Sequence, residues 1–455
     1  MARKGQYSIP KTNQMPAPSR GHRGSEVPAD IMWPRIIIML TTLALVLLGF
    51  VMVYSSSSIV ALNKGESTEI YLIKQIAFAL AGVIACVIVW KLVPYYLWVG
   101  PLVWIVWGAS MILLVVTAVA GSVGYGAQRW VDLGVTGIQP SEFAKIAFLL
   151  MSARILIRYR EGDMSFKEMI VQAFILVLLP LMFMYRSQSD LGTTLICFMG
   201  ILMVMWLGEV PLKVILGIVI LGILFAVAAS SFGYRQNRFV FLDPWNDGKG
   251  GLGAGYQLVH SYYAFAEGGL FGVGLGNSRE KFLYLPMSET DFIFAIIGEE
   301  LGLIGAMVIV ILFLVFLWAG LRIARGAPDA FGSLLAGGFT AMIVFQAFLN
   351  IGCVIGVLPT TGKPLPFISA GGSSMVATLI MFGIIMSVSN ASTAPSVYEQ
   401  RRADLRLVKA PSSSRGSTSR LPSETTYTSQ TKYHQPPTIT SRPRQIVRSR
   451  RRGGR

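Results

Sequence analysis

Histidine and cysteine are almost missing from this sequence, with three of each in 455 residues. Cys86, Cys197 and Cys353 fall in three different apolar runs, so no disulfide framework follows from them. His22 and His434 lie in polar tails, and His260 stands alone in a glycine-rich stretch. A zinc, haem or redox mechanism needs such ligands in clusters and is therefore disfavoured. Charge is also scarce, at 14% of positions, while 53% are hydrophobic and the mean hydropathy is +0.59. An ordinary soluble fold has no place for that much apolar surface. The chain reads as an all-α, polytopic integral membrane protein.

Acidic residues number 23 against 39 basic ones, a net charge of +16. That balance does not point to nucleic acid, because much of the surplus sits at one end. From Pro395 onward 14 Lys or Arg face 3 Asp or Glu in a run rich in Ser, Thr and Pro. Such a composition cannot bury a core. Residues 393–455 are expected to be a disordered cytoplasmic tail that fixes topology beside anionic membrane lipids, or that docks a cytoplasmic partner. Residues 1–32 are polar, basic and proline-dotted, and read as a cytoplasmic leader before a retained span.

Between them, residues 33–392 carry nine apolar runs long enough to cross a bilayer: about 36–58, 70–90, 95–120, 169–186, 190–208, 212–232, 291–320, 331–357 and 371–391. A tenth, about 140–158, is interrupted by Glu142, Lys145 and Arg154. Pro140 suits the first turn of a helix, and Phe143, Ile146, Ala147 and Leu150 recur at helical spacing. With ten spans, the basic connections and both basic tails share one side, which places the termini in the cytoplasm. The large loop 233–290, between helices 7 and 8, is then extracytoplasmic. Ten glycines lie between Gly248 and Gly276, around the amphipathic string GYQLVHSYYAFAEGG, which predicts a short interfacial or re-entrant helix. GLGAG and GVGLG follow no strand and open no βαβ unit, so a dinucleotide site is not expected.

Polar groups gather at the outer ends of the spans. Asp291 stands where the loop meets an apolar run, and a carboxylate at a span mouth is a functional candidate by default. On a helix continuous from Asp291, Glu299 would lie about 12 Å along the axis, beyond the carboxylate separation of glycosidases, with Glu300 on the opposite face. Asp291 then acts alone or with other spans, and the two glutamates read as buried structural partners. Glu142 with Lys145, and Arg186 with Asp190, are spaced to pair along a helix, as clasps or as parts of a site. Arg235, Arg238, Lys281 and Lys363 run against the positive-inside bias, and either anionic headgroups or a bound pyrophosphate would explain them.

In order, GAQRWVDLG (126–134), QPSEFAK (139–145), QSDLGT (188–193), GYQLVHS (255–261), TDFIFAIIGEELG (290–302) and LNIGCVIGVLPTTGKPLPFISAGGSS (349–374) resemble the SEDS family of shape, elongation, division and sporulation proteins. The resemblance covers about residues 33–392. It implies a ten-span glycosyltransferase that polymerises lipid II, a disaccharide pentapeptide on undecaprenyl pyrophosphate, with Asp291 as the catalytic base. Under that implication Asp291 deprotonates the acceptor 4-hydroxyl, which displaces the lipid pyrophosphate with inversion and extends an undecaprenyl-linked glycan. The substrate-binding candidates are Arg129, Gln139, Glu142, Lys145, Asp190, Arg238, Lys281, Lys363 and Ser373. A pyrophosphate leaves readily once neutralised, so one base suffices, with a divalent Mg or Mn ion as an optional helper and no metal ligands assigned. The family's usual tyrosine is Ala370 here, and Glu289 stands where a histidine often precedes TDFIF.

The resemblance further implies a class B penicillin-binding protein as transpeptidase partner, together with other division proteins. The long leader, the tail and LPTTGKPLPFIS look more like the FtsW branch than the RodA branch, hence septal synthesis in the bacterial inner membrane. Two rival readings stand beside the enzyme. One is a transporter of lipid-linked precursors, although no internal repeat is visible; the other is a scaffold for division partners.

Overall fold

The computed structural model describes residues 29–124, 127–132, 137–230 and 240–392. Arg235, Arg238, residues 1–28 of the leader and the tail 393–455 lie outside the described residues; the last four positions assigned to the leader belong to the first helix. The helices are α1 (Ala29–Asn63), α2 (Ile70–Leu92), α3 (Pro101–Ala120), α4 (Pro140–Arg160), α5 (Phe166–Gln188), α6 (Leu191–Leu207), α7 (Leu212–Ser230), α8 (Tyr256–Gly268), α9 (Ile293–Arg325), α10 (Ala330–Val354) and α11 (Gly372–Ala391). Seven of them, α1, α2, α3, α5, α9, α10 and α11, are long and apolar enough to cross a membrane, and α6 and α7 are shorter apolar helices. With α4, these match the ten predicted spans. The short helix predicted in the large loop is α8.

Lipid and protein sort the helices by polarity. In their most apolar windows, α10 and α11 are 83% buried inside the protein, whereas α3 and α5 are 22% buried. The most apolar helices can face acyl chains, and those with polar groups must turn inward. The tenth span, α4, follows this rule. Its Glu142 and Lys145 are fully buried, as are its apolar neighbours Ala147, Phe148, Leu149 and Leu150. Pro140 occupies its first turn, where a missing N–H costs nothing. Helix α4 packs on α3, α6 and α10, while α2 packs on α11 and α1 on α9.

Two departures from helical expectation matter for the site. The connection after α3 forms a small antiparallel sheet, β1 (Ser122–Gly124), β2 (Ala127–Asp132) and β3 (Gly137–Ile138), in that order. It carries Arg129. Second, α9 is not continuous from Asp291. Asp291 and Phe292 belong to the preceding turn, the helix starts at Ile293, and Gly302 (φ 68°, ψ −172°) interrupts it. The chain 269–274 fills that break: Val273 and Gly274 N–H donate to the Glu299 and Glu300 carbonyls (2.9 and 3.0 Å). In return Leu303 and Ile304 N–H donate to the Gly269 and Leu270 carbonyls (2.9 and 3.2 Å).

Candidate active site

Four segments meet at one end of the bundle: the start of α4, the α5–α6 corner, the turn before α9, and the loop from Ile355 to Gly371 that joins α10 to α11. The corner is set by Ser189, a non-glycine residue at φ 51°, which ends α5 and turns the chain into α6. Arg129 holds it from β2, donating from Nε to the Gln188 carbonyl (2.9 Å) and from Nη2 to the Ser189 carbonyl (3.0 Å). Asp190 then caps α6. Its carboxylate accepts from Thr193 N–H (3.0 Å), Thr193 Oγ1 (2.8 Å) and Ser141 Oγ (3.2 Å).

The partner of Asp190 is Lys363, not Arg186 as helical spacing suggested. Lys363 Nζ lies 2.7 Å from Asp190 Oδ2 and 3.8 Å from Glu142 Oε1. Reversing the chain direction at Ser189 points Asp190 inward, so the i,i+4 geometry that would reach Arg186 does not form. Lys145 completes the group, 2.8 Å from Glu142 Oε2 and 2.7 Å from Gln346 Oε1. Two ammonium groups and two carboxylates, all essentially inaccessible, therefore neutralise one another inside the bundle, the condition under which buried charge is tolerated. Burial alone would raise the Asp190 carboxyl, but Lys363 and Arg129, with the Thr193 N–H, hold it well below the usual carboxylate range.

Asp291 sits beside this group in a different condition. It is half-buried, and its carboxylate accepts no hydrogen bond among the described residues; only its backbone carbonyl is held, by Asn350 Nδ2 at 2.7 Å. The same Asn350 amide donates to the Lys363 carbonyl at 2.7 Å, so one α10 side chain ties the two loops together. Gly362, at φ +63°, makes the approach feasible: a Cβ there would stand 3.3 Å from Asp291 Oδ2. Burial pushes the Asp291 carboxyl up to about 6. The positive charges of Lys363 and Arg129 oppose the rise, and Glu289 and Asp190 add to it. A carboxylate that is accessible, unpartnered and raised toward neutrality is suited to accept a proton.

Other candidates fall into two groups. Gln139 and Ser373 are brought together, the Gln139 N–H donating to Ser373 Oγ at 3.0 Å, which links the start of α4 to that of α11. Lys281 is joined instead to Glu300 (3.0 Å), Ser55 Oγ (3.3 Å) and the Gly276 carbonyl (2.6 Å). It is a clasp on the break in α9 and is spent there. Glu299 accepts from Ser278 Oγ and Arg279 N–H, both at 2.5 Å, so both glutamates are buried structural partners as expected. Arg238 lies outside the described residues. Sequence reasoning missed Gln346 and Asn350, although two amides within an apolar span were a visible anomaly. Among the described residues no three His, Cys, Asp or Glu side chains converge as metal ligands would. The described residues thus offer no all-protein cage for a divalent ion.

Residues 35–394 match the family model for FtsW, RodA and SpoVE, described as cell cycle protein. Stage V sporulation protein E of Bacillus subtilis is 39% identical over 364 residues, covering 79% of this chain and 98% of that protein. A probable peptidoglycan glycosyltransferase FtsW of Geobacter metallireducens is 38% identical over 358 residues, covering 78% and 94%. Among solved structures, a chain from work on the structural coordination of polymerization and crosslinking by a peptidoglycan synthase complex superposes with a TM-score of 0.61. It is 25% identical, over 78% of this chain and 97% of that one. The rod shape determining protein RodA of Thermus thermophilus gives a TM-score of 0.58 at 26% identity, over 79% and 97%. The chain belongs to the FtsW/RodA/SpoVE family.

Proposed function

We infer that this membrane protein is a peptidoglycan glycosyltransferase that polymerises lipid II, with Asp291 as general base. The observation that carries the assignment of the base is the contrast between carboxylates. Asp190 and Glu142 are locked in ion pairs and Glu299 and Glu300 in structural clasps, while Asp291 alone of these five has no side-chain partner and retains access.

In this proposal Asp291 removes the proton of the acceptor 4-hydroxyl as its oxygen forms a bond to the donor anomeric carbon. The bond from that carbon to the pyrophosphate breaks with its electron pair on the leaving oxygen, inverting the centre. Lys363 and Arg129 place positive charge beside the reacting groups, where negative charge builds on the departing pyrophosphate. Lys145 and Glu142 hold Lys363 in place rather than touching substrate. Gln139 and Ser373 are assigned to the sugar-binding wall. Any divalent ion would come with the pyrophosphate as its counter-ion, the protein's own positive charge being that of Lys363 and Arg129. The site opens on the extracytoplasmic side, both termini are cytoplasmic, and the sequence of 393–455 carries a basic surplus. A class B penicillin-binding protein crosslinks the product, and the setting is the division septum.

The test is purified protein in lipid nanodiscs with its transpeptidase partner and fluorescent lipid II. Polymer resolved on a gel is the expected result. Lipid II moving between leaflets of liposomes without polymer would replace the enzyme with the transporter.

A further inference from the structure

Helix α9 is longer than a membrane requires, and its surroundings change abruptly at Gly302. From Ile293 to Glu300 every residue is buried in protein. From Leu303 onward the helix shows an exposed apolar stripe: Leu303, Ile304, Met307, Val308 and Ile311 are 46–53% accessible. The stretch from Leu303 to Arg325 alone covers about 34 Å at helical rise, enough for a hydrocarbon core of about 30 Å. Arg322 and Arg325 close its far end, as basic residues do on the cytoplasmic side. The membrane boundary therefore falls at the break, not at the first residue of the helix.

The chain that repairs the break is itself apolar and bare. Leu270, Phe271 and Leu275 are 59%, 80% and 55% accessible, and they adjoin Leu303 and Ile304 through the backbone pairs described above. The apolar surface of the loop is thus continuous with the lipid-facing stripe of α9. Satisfaction of the backbone points the same way. Four of the polar groups that the break frees, the Glu299 and Glu300 carbonyls and the Leu303 and Ile304 N–H groups, are bonded to the loop, as suits an interruption at membrane depth. The approach is close enough to demand glycine on both strands: a Cβ on Gly272 would meet the Glu300 carbonyl oxygen at 2.2 Å, and one on Gly302 the Gly272 nitrogen at 2.4 Å. By contrast, the amphipathic helix α8 turns Leu258, Val259 and Ala264 into the protein, so the turn after it, not the helix, is left to face lipid.

We propose that residues 269–276 form a wedge inserted into the acyl region of the extracytoplasmic leaflet, anchoring the broken helix α9 at a fixed depth. Its occupant is bilayer lipid. The protein-buried first part of α9 rises about 14 Å from Gly302 to Ile293, so the anchor sets the height of Asp291 above the acyl chains. A substrate tethered to the same leaflet by a lipid chain presents its sugars at a fixed height too. The wedge matches the two. This last role rests on the lipid-linked substrate proposed above, whereas the insertion itself does not.

The experiment places a nitroxide at Phe271→Cys and Leu275→Cys in full-length protein in nanodiscs, with Val308→Cys as a lipid reference and Lys249→Cys as an aqueous one. The native cysteines are buried. Accessibility to oxygen and to a water-soluble nickel chelate is read at each site. The oxygen-to-nickel ratio at 271 and 275 should match position 308 and exceed that at 249 several-fold. A ratio matching position 249, or protection from both reagents, overturns the insertion. Phe271→Glu should lower polymerisation several-fold in nanodiscs while retaining a monodisperse, folded protein; unchanged polymerisation overturns the positioning role. The depth reading does not depend on catalysis, so a wedge that inserts in a protein that makes no polymer would discard the proposed function and leave the insertion standing.

Discussion

The acid limb of the pH–rate profile follows from the electrostatics around Asp291. A general base works only when ionised, so the rate follows the ionised fraction. With the carboxyl at about 6, rather than its ordinary 3.8, about one-tenth is ionised at about pH 5, whereas an unperturbed aspartate would be about nine-tenths ionised. Polymerisation at that pH should thus run at about a tenth of its rate near pH 8. The sign can be tested from both sides. Lys363 pulls the carboxyl down, so Lys363→Met should move the limb to higher pH. Glu289 pushes it up, so Glu289→Gln should move it to lower pH. Initial rates with fluorescent lipid II in nanodiscs, in buffers of constant ionic strength, provide the assay. A wild-type limb near pH 4, or both variants moving the limb in the same direction, would refute the reasoning.

Other consequences concern stability. Lys363→Met takes the ammonium partner from the buried Asp190, while Glu142 keeps Lys145, and should cost about 3–5 kcal/mol, read as a lowered thermal midpoint in detergent. Adding Asp190→Asn should restore part of that loss, because the most exposed consequence, an unpaired charge, is then removed. Gly302→Ala should cost at least about 1–3 kcal/mol, since it combines a positive φ with a 2.4 Å clash against the Gly272 nitrogen. Gly65→Ala shares the positive φ but has open space around it, and should cost less by the same measurement.

Much of the bundle was legible because lipid imposes length and polarity so strictly. Ten spans, the short α8, and even the charged α4 followed from hydropathy, Pro140 and helical spacing. Distant pairing was less accessible. Lys363 and Asp190 are 173 positions apart, and local spacing offered Arg186 as the nearer partner. Only the left-handed Ser189 reverses the chain so that Asp190 faces inward. The break in α9 was hidden for a similar reason. Gly302 sits in an apolar, helix-compatible string, and its conformation is supported by hydrogen bonds from a loop some thirty residues earlier. Asp291 itself was visible as an ionisable group at a span mouth. Its lack of a side-chain partner, which separates it from Glu142, Asp190, Glu299 and Glu300, appears only when these have been placed.

The most direct measurement is polymerisation by Asp291→Asn in the purified complex. The substitution keeps the shape and the Asn350 contact to the backbone, and removes the proton acceptor. The account predicts a folded, partner-bound protein that makes no glycan polymer from lipid II. Polymer formed at close to the wild-type rate would contradict it.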